Sequence, residues 1–137
     1  MAAVRRADAT WEGDLTSGSG VVSANTSRSF TDLPVSWASR TAAPDGRTSP
    51  EELLAAAHAS CFAMALAHNL NGAGTPPQRL EVSATVTFDQ VGGGWRVVSS
   101  ALTVRGQVQG ADGAVFQQAA EAAKDGCPIS QALKGNV

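Results

Sequence analysis

Residues 48–70, TSPEELLAAAHASCFAMALAHNL, constrain the fold more than any other part of the chain. Ser49 is suited to cap a helix, because its hydroxyl can accept a hydrogen bond from a free backbone N–H of the first turn. Pro50 falls at the first helical position, where its missing N–H costs nothing, and Glu52 completes an S-x-x-E capping box. Alanine and leucine, both strong helix formers, dominate the residues that follow. The sequence therefore predicts a long helix that ends near Asn71-Gly72.

The apolar residues of this helix do not keep to one stripe, which is typical of a helix buried inside a protein. A membrane span would need ~20 predominantly apolar residues. This helix is interrupted by polar residues: Glu51, Glu52, His58, Ser60, His68 and Asn69. We therefore expect a central core helix with one thiol, Cys61, near its middle, and no membrane partner.

The length, net charge and cysteine count of the chain limit the number of domains and the kinds of protein that it can be. A chain of 137 residues fits one domain, 1–137. A net charge of -2 gives no electrostatic case for a nucleic-acid partner. We recognise no charged-then-apolar leader and no lipidation signal, so the expected location is the cytoplasm. Two cysteines are too few for a disulfide-rich secreted scaffold.

The residues before the helix resemble β structure. Within residues 1–31, alternation and glycine turns indicate short strands, with candidates at 21–24 and 29–31. Residues 35–40 fit a short edge strand or an extended segment. A loop then leads to the Ser49 cap.

The residues after the helix predict a β-hairpin followed by helices. Apolar and polar residues alternate over 80–89, Gly92-Gly93-Gly94 forms a turn, and a second alternating segment follows over 95–108. Two further helices are predicted, at 114–124 and from Cys127 to Leu133. The order of strands, helix, hairpin and helices indicates an α+β fold with antiparallel sheets.

Cys127 is the cysteine whose local sequence says most about chemistry. Pro128 favours the first helical position and therefore places Cys127 at the N-cap. A thiolate there meets free N–H groups and the positive end of the helix dipole, which lower a cysteine's pKa. A small residue at a turn would explain the same sequence, and the local pattern leaves both interpretations open.

Cys61 lies in the middle of the long helix, where a core packing role explains it without any chemistry. His58 is three residues earlier on the same face, and a Cys–His couple could serve a hydrolase or a metal site. Two ligands are too few for zinc, and His68 is ~15 Å from His58 along the helix. We therefore expect both histidines to be structural and no metal to be bound.

Glu51 and Arg40 form a second candidate pair. Glu52 is accounted for by capping, whereas Glu51 is favoured only by the helix dipole and remains able to pair with a cation. Arg40 ends a segment of small and apolar residues shortly before. A solvated loop arginine is the simpler alternative.

These features lie in two blocks, TSPEELLAAAHASCFAMAL at 48–66 and AAKDGCPISQALKGNV at 122–137. Together they resemble the OsmC/Ohr family of osmotically inducible and organic-hydroperoxide-resistance thiol peroxidases. The N-terminal AxWEGD, Ala9 to Asp14, also matches, so the resemblance runs along the full chain. The arginine that ends SWASR resembles that of the OsmC branch.

The resemblance implies roles for four residues. Cys61 would be the peroxidatic thiol and Cys127 the resolving thiol. Arg40 would steady the Cys61 thiolate, and Glu51 would orient Arg40. It also implies an OsmC-like fold around a buried central helix, in an intertwined homodimer. The family pattern continues into a C-terminal strand, whereas this sequence ends at Lys134-Gly135-Asn136-Val137, so either the sequence is truncated there or the strand is missing.

Helix geometry gives a separate reason to expect a dimer. Glu51 and Cys61 are ten positions apart along one helix, which is ~15 Å. If both serve one site, a second copy should supply Glu51 and Arg40, so two active sites would be shared between subunits.

The expected function is reduction of organic hydroperoxides, and less well of hydrogen peroxide, to alcohols. It would proceed through a Cys61 sulfenic acid and a Cys61–Cys127 disulfide. An external dithiol of the lipoyl or thioredoxin type would restore the thiols, with no bound cofactor. A pocket between subunits, lined by Leu54, Phe62 and Met64, would favour organic substrates. The alternatives are a thiol–disulfide oxidoreductase or redox sensor without peroxide turnover, and a non-enzymatic protein that binds hydrophobic ligands.

Overall fold

The computed structural model describes residues 1–137 and contains antiparallel sheets and helices, as the α+β prediction requires. Its contacts divide the chain into two units, Met1–Leu53 and Leu54–Val137. The prediction of one domain with a missing C-terminal strand stays a prediction.

The unit Met1–Leu53 contains a three-stranded antiparallel sheet in the order β1-β2-β3. The strands are β1 (Ala7–Glu12), β2 (Ser19–Ala24) and β3 (Leu33–Val35). A short helix, α1 (Trp37–Thr41), follows β3, and the first turn of α2 (Pro50–Gly72) completes the unit.

Two predictions for this unit are wrong. Residues 29–31 are not a strand, because Arg28 and Asp32, with φ of 57° and 53°, lie in the left-handed region and interrupt extended backbone on both sides. Residues 37–40 are helical rather than extended. Ser36 and Ser39 exchange side-chain and backbone hydrogen bonds in a capping box that starts α1.

Helix α2 has the predicted bounds and most of the predicted cap. The Ser49 hydroxyl accepts a hydrogen bond of 3.1 Å from the Glu52 N–H. The Glu52 carboxylate accepts instead from the Thr48 hydroxyl, at 2.7 Å. By length and composition α2 could cross a membrane, a test that the core helix of a soluble protein also passes.

The unit Leu54–Val137 builds its core on one side of α2. The remaining elements are β4 (Arg79–Val91), β5 (Gly94–Gln107), α3 (Gly113–Gly126) and α4 (Pro128–Leu133). Residues four apart on α2 are buried, and they form a cluster with residues of α3 and with Cys127: Phe62, Leu66, Leu70, Ala119, Ala123 and Cys127. Because only this stripe is fully covered, the expected all-round burial of α2 is not reached within one chain; Met64, for example, is 68% exposed.

The β4–β5 hairpin confirms the alternation seen in the sequence. Every second residue of β4 from Leu80 to Phe88 is partly buried, and the residues between them are exposed. Gly92 and Gly93 turn the chain at φ of 59° and 82°, where a side chain would be strained. Leu80, Val82, Leu102 and Val104 pack against the core cluster. The hairpin therefore closes one side of the core that holds Cys127.

Candidate active site

Arg40 and Glu51 form a two-pronged ion pair within the unit Met1–Leu53. Arg40 lies in the last turn of α1, and Glu51 lies in the first turn of α2. The guanidinium donates from Nη2 to Oε1 at 2.6 Å and from Nε to Oε2 at 3.1 Å. The guanidinium also lies 5.7 Å from the centre of the Trp37 ring. This geometry fixes the plane of the arginine as well as its charge.

Burial makes the pair asymmetric. The Glu51 side chain is 9% exposed, whereas the Arg40 side chain is 30% exposed. Burying a carboxylate without a cation costs free energy, whereas the partly exposed guanidinium of Arg40 can hydrogen-bond to water if Glu51 is removed. The sequence prediction that Glu51 pairs with Arg40 is confirmed, and their catalytic roles stay predictions.

We expect Arg40→Met to lower the free energy of unfolding by roughly 3 kcal/mol, because it leaves Glu51 buried without its cation. Glu51→Gln, which removes the charge but keeps the shape, should cost less. The double variant Arg40→Met/Glu51→Gln should recover part of the loss. Urea unfolding of the four proteins measures these differences. If both single variants lost the same free energy of unfolding, and the double variant lost the sum of the two, Arg40 and Glu51 would not stabilise each other.

Cys127 occupies the junction of two helices in the unit Leu54–Val137. It is the C-cap of α3 and, as predicted, the N-cap of α4, with Pro128 at the first helical position. Its sulfur accepts a hydrogen bond of 3.5 Å from the Ser130 N–H. The side chain is fully buried in the core cluster. The α4 cap therefore holds the sulfur in a fixed position.

Cys61 and Cys127 are free thiols in contact. Their sulfurs are 3.1 Å apart, about 1 Å further than the ~2.05 Å of a disulfide. Cys61 is partly exposed and Cys127 is not. An oxidant that removes two electrons and two protons could join them as a disulfide with only a small approach of the two sulfurs, and only Cys61 is open to a molecule arriving from solvent.

The two thiols have opposite pKa shifts. Burial raises the pKa of the Cys61 thiol, and a hydrogen bond from the Ile129 N–H offsets only part of this effect. Burial also acts to raise the pKa of Cys127, but hydrogen bonds from Ser130, Cys61 and Ile129 outweigh it and bring that pKa below its ordinary value. Within one chain these shifts favour the thiolate at Cys127 over the thiolate at Cys61.

His58 is tied to two serines rather than to Cys61. It is 5% exposed. Its Nδ1 lies 2.6 Å from the Ser100 hydroxyl of β5, and its Nε2 lies 2.8 Å from the Ser130 hydroxyl of α4. Burial lowers the pKa of the imidazole. No group of three or more His, Cys, Asp or Glu side chains is arranged to hold a metal ion.

Comparison with known proteins adds a family to this geometry. Residues 43–137 match the family model described as OsmC-like protein. The chain is 38% identical over 133 residues to Peroxiredoxin OsmC of Escherichia coli strain K12, covering 97% of this chain and 92% of the relative. The chain belongs to the OsmC family.

Two organic hydroperoxide resistance proteins are also similar to this chain. The chain is 34% identical over 95 residues to an organic hydroperoxide resistance protein of Xanthomonas axonopodis pv. citri, covering 66% of this chain and 62% of the relative. The crystal structure of the organic hydroperoxide resistance protein OhrB of Bacillus subtilis superposes with a TM-score of 0.75. Its sequence identity is 27%, with 96% of this chain and 93% of OhrB covered. The predicted OsmC-like α+β fold, with antiparallel sheets and a long central helix, is confirmed.

The four residues predicted for the OsmC-like site fall into two contacting pairs. The structure places Arg40 against Glu51 and Cys61 against Cys127. The sequence reasoning missed the serine that joins Cys127 to His58. Its position three residues after the Cys127 cap, where an N-cap side chain bonds back, was an available signal for Ser130.

Proposed function

We propose that this OsmC-family chain is a cysteine-dependent thiol peroxidase that reduces organic hydroperoxides to alcohols. The observation that carries the proposal is the contact of two free thiols, one exposed and one buried at a helix cap. Similarity to proteins named Peroxiredoxin OsmC and organic hydroperoxide resistance protein supports a peroxidase-type role. Cys61 is the peroxidatic residue in this proposal and Cys127 the resolving residue.

The proposed cycle has three balanced steps. The Cys61 thiolate attacks one peroxide oxygen, the O–O bond breaks, and the alkoxide leaves and takes a proton to become the alcohol. Cys61 is then a sulfenic acid. The Cys127 thiolate attacks the Cys61 sulfur, a disulfide forms, and hydroxide leaves as water. An external dithiol, of the lipoyl or thioredoxin type, exchanges with the disulfide and restores both thiols.

Exposure supports the order of the two cysteines. Cys127 has no exposed surface, so a hydroperoxide cannot reach its sulfur without rearrangement of the core. Cys61 is partly exposed. The lowered pKa of Cys127 suits a residue that must attack as a thiolate in the second step. Reactivity in the first step then depends on lowering the pKa of Cys61.

Arg40 is the cation proposed to lower that pKa, and it would come from a second copy of the chain. Glu51 and Cys61 are ten positions apart in α2, a rise of ~15 Å. Glu51 holds Arg40 rigidly by two hydrogen bonds. We propose a homodimer with two shared sites, in which the partly open face of α2 is covered by the second copy.

The proposed substrate preference follows from the apolar residues left open on α2. Met64 is 68% exposed, so it is available to line a pocket for the organic part of a hydroperoxide. Phe62, which the sequence placed in that pocket, is 3% exposed and belongs to the core, so it is withdrawn from the proposal. Hydrogen peroxide, which has no apolar part, should be reduced more slowly.

Residues 1–137 are proposed to act in the cytoplasm.

Steady-state turnover tests the proposal. With excess dihydrolipoamide and a lipoamide reductase, the protein should consume cumene hydroperoxide over many cycles, and roughly 10-fold or more faster than hydrogen peroxide at equal concentration, since burying the organic part provides about 1.4 kcal/mol or more. The lipoamide reductase draws its electrons from NADH, so the rate of NADH oxidation measures the rate of hydroperoxide turnover. Formation of one disulfide without continued turnover would instead favour the redox sensor. No reaction of either thiol would favour a non-enzymatic binding protein.

A further inference from the structure

His58 connects three elements of the unit Leu54–Val137, and the proposed cycle does not use it. It lies on α2 and is 5% exposed. Its Nδ1 lies 2.6 Å from the Ser100 hydroxyl of β5, and its Nε2 lies 2.8 Å from the Ser130 hydroxyl of α4. A serine hydroxyl can donate or accept, so a neutral imidazole makes both hydrogen bonds in either tautomer. His58 therefore fixes the side chain of Ser130 relative to α2.

Ser130 also holds the resolving sulfur, through a different group. Its backbone N–H donates to Cys127 Sγ at 3.5 Å, and that sulfur lies 3.1 Å from Cys61 Sγ. The Ser130 hydroxyl bonds to the imidazole and the Ser130 N–H bonds to the sulfur, so the two contacts do not compete for one proton. Because both groups belong to one residue, the imidazole sets the position of the N–H that holds Cys127.

Helix α4 has few other contacts that would fix its first turn. It contains six residues, and none of them is fully buried. Ile129 packs against the core cluster. The Gln131 amide donates back to the Asp125 carbonyl of α3, so it does not connect α4 to the helix that carries Cys61. The Ser130 hydroxyl does reach that helix, through His58.

We propose that His58 is a positioning residue for the second step of the cycle. By holding Ser130, it keeps the Cys127 sulfur within reach of Cys61 while Cys61 is a sulfenic acid. This inference rests on the proposed two-cysteine cycle and deepens it. In that step Cys127 gives its proton to solvent and attacks the Cys61 sulfur, the S–S bond forms, and the S–O bond breaks. Hydroxide leaves and takes a proton from solvent, while His58 only restricts the motion of α4.

Distance is the reason that the position of α4 matters. The two sulfurs must close from 3.1 Å to the ~2.05 Å of a disulfide after Cys61 has gained an oxygen. If α4 loosens, a smaller fraction of molecules holds Cys127 in line for attack, and the second step slows by that fraction. The first step involves only Cys61 and the hydroperoxide, so its rate should not change.

Two matched serine variants test the proposal. Ser130→Ala removes the hydroxyl that His58 holds, whereas Ser100→Ala removes the other partner of the same imidazole. Both serines are partly buried. After mixing with cumene hydroperoxide, Ser130→Ala should form the disulfide about tenfold more slowly than wild type, the size expected for one lost hydrogen bond. Ser100→Ala should stay within about threefold of wild type. Trapping of the sulfenic acid and quenched intact mass follow the two steps, and the first should keep its rate in both variants.

Two changes at His58 make the same comparison on the other partner. A glutamine amide extends about as far from the backbone as Nε2 and can bond to Ser130, whereas an asparagine amide extends about as far as Nδ1 and can bond to Ser100. His58→Gln should therefore recover disulfide formation to within about threefold of wild type, and His58→Asn should be about tenfold slower.

The paired variants distinguish positioning from general damage to the core. If the second step slows equally in Ser100→Ala and Ser130→Ala, or equally in the two His58 variants, the rate follows core stability and the inference is overturned. A wild-type second step in Ser130→Ala would also overturn it.

An equilibrium measurement needs no peroxide, so it separates this inference from the proposed function. Each protein is equilibrated with mixtures of reduced and oxidised dithiothreitol, and intact mass gives the fraction that holds the Cys61–Cys127 disulfide. In Ser130→Ala the reduced protein gains freedom at α4 that the disulfide removes again. The equilibrium constant for disulfide formation should therefore fall about tenfold, which is ~30 mV for a two-electron couple. Ser100→Ala should match wild type.

The outcomes of the two experiments are separable. An unchanged equilibrium constant in Ser130→Ala would overturn the inference even if the protein reduces hydroperoxides. If wild type does not react with hydroperoxide but the constant falls in Ser130→Ala alone, the proposed function fails and the positioning of Cys127 by His58 remains.

Discussion

Cys61→Ser is expected to abolish hydroperoxide turnover, with a loss of roughly 1,000-fold or more, because the nucleophile of the first step is removed. Cys127→Ser should lose repeated turnover but keep the first step of the reaction. It keeps the partly exposed Cys61 thiol and should reduce one equivalent of hydroperoxide at a rate near that of wild type. It should then stop, because no second thiol is available within the chain to release Cys61 from the sulfenic state. Steady-state and single-turnover rates on the two variants measure these outcomes.

Ser60→Ala is the matched control for these two variants. Ser60 is the exposed neighbour of Cys61, and its hydroxyl bonds only to carbonyls of its own helix, those of Ala56 and Ala57. It should turn over hydroperoxide at the wild-type rate. Reversed behaviour, with Cys61→Ser performing one turnover and Cys127→Ser performing none, would exchange the two roles. Full turnover in both variants would leave the thiols as packing residues.

Arg40→Met is expected to reduce turnover at neutral pH by about 100-fold, because a nearby cation lowers a thiol pKa by ~1–3 units. Burial raises the pKa of Cys61, so without the cation less of it is thiolate at neutral pH. Raising the pH should therefore restore most of the activity of Arg40→Met. Arg40→Lys keeps the charge but cannot reproduce the two-pronged contact with Glu51, and we expect an intermediate rate.

Mixing variants tests whether Arg40 acts on the partner's thiol. Each of Arg40→Met and Cys61→Ser should be nearly inactive alone. After subunit exchange, half of the dimers would combine the two, and each would hold one complete site, so roughly one quarter of wild-type activity should return. No recovery after demonstrated exchange would place Arg40 and Cys61 of the same chain in one site. A monomer in light scattering would remove the shared-site proposal.

Local chemistry explains why part of this fold is predictable from sequence. The start of α2 is encoded by Ser49 and Pro50, and the hairpin by strict alternation with a glycine turn. The cap of α4 by Cys127 follows from Pro128 alone. Each of these signals acts between residues that are near in the chain, so tertiary packing was not needed to interpret them.

The two wrong secondary-structure predictions fall where a short local motif competes with the strand preference of the surrounding composition. Residues 37–41 contain the helix α1, which begins with a capping box of two serines, Ser36 and Ser39. Serine at the fourth position of such a box is a weaker signal than glutamate, and five residues give no periodicity. Residues 29–31 have strand composition, but the positive φ of Arg28 and Asp32 breaks the extended backbone there.

The contacts within the candidate site depend on the fold and are largely hidden in the sequence. Cys61 and Cys127 meet because α2 and the α3–α4 junction share one core. His58 finds Ser100 across a hairpin whose register no local pattern sets. The sequence could therefore suggest which residues carry chemistry, and the structure shows which of them touch.

Intact mass with thiol counting, after one equivalent of cumene hydroperoxide, tests the central claim most directly. The two-cysteine cycle predicts that wild type loses both thiols and two mass units, with one intramolecular disulfide between Cys61 and Cys127. It also predicts that Cys127→Ser gains one oxygen, trapped as a sulfenic acid at Cys61. Two unreacted thiols in wild type, or a sulfenic acid trapped at Cys127 in Cys61→Ser with none at Cys61, would contradict it.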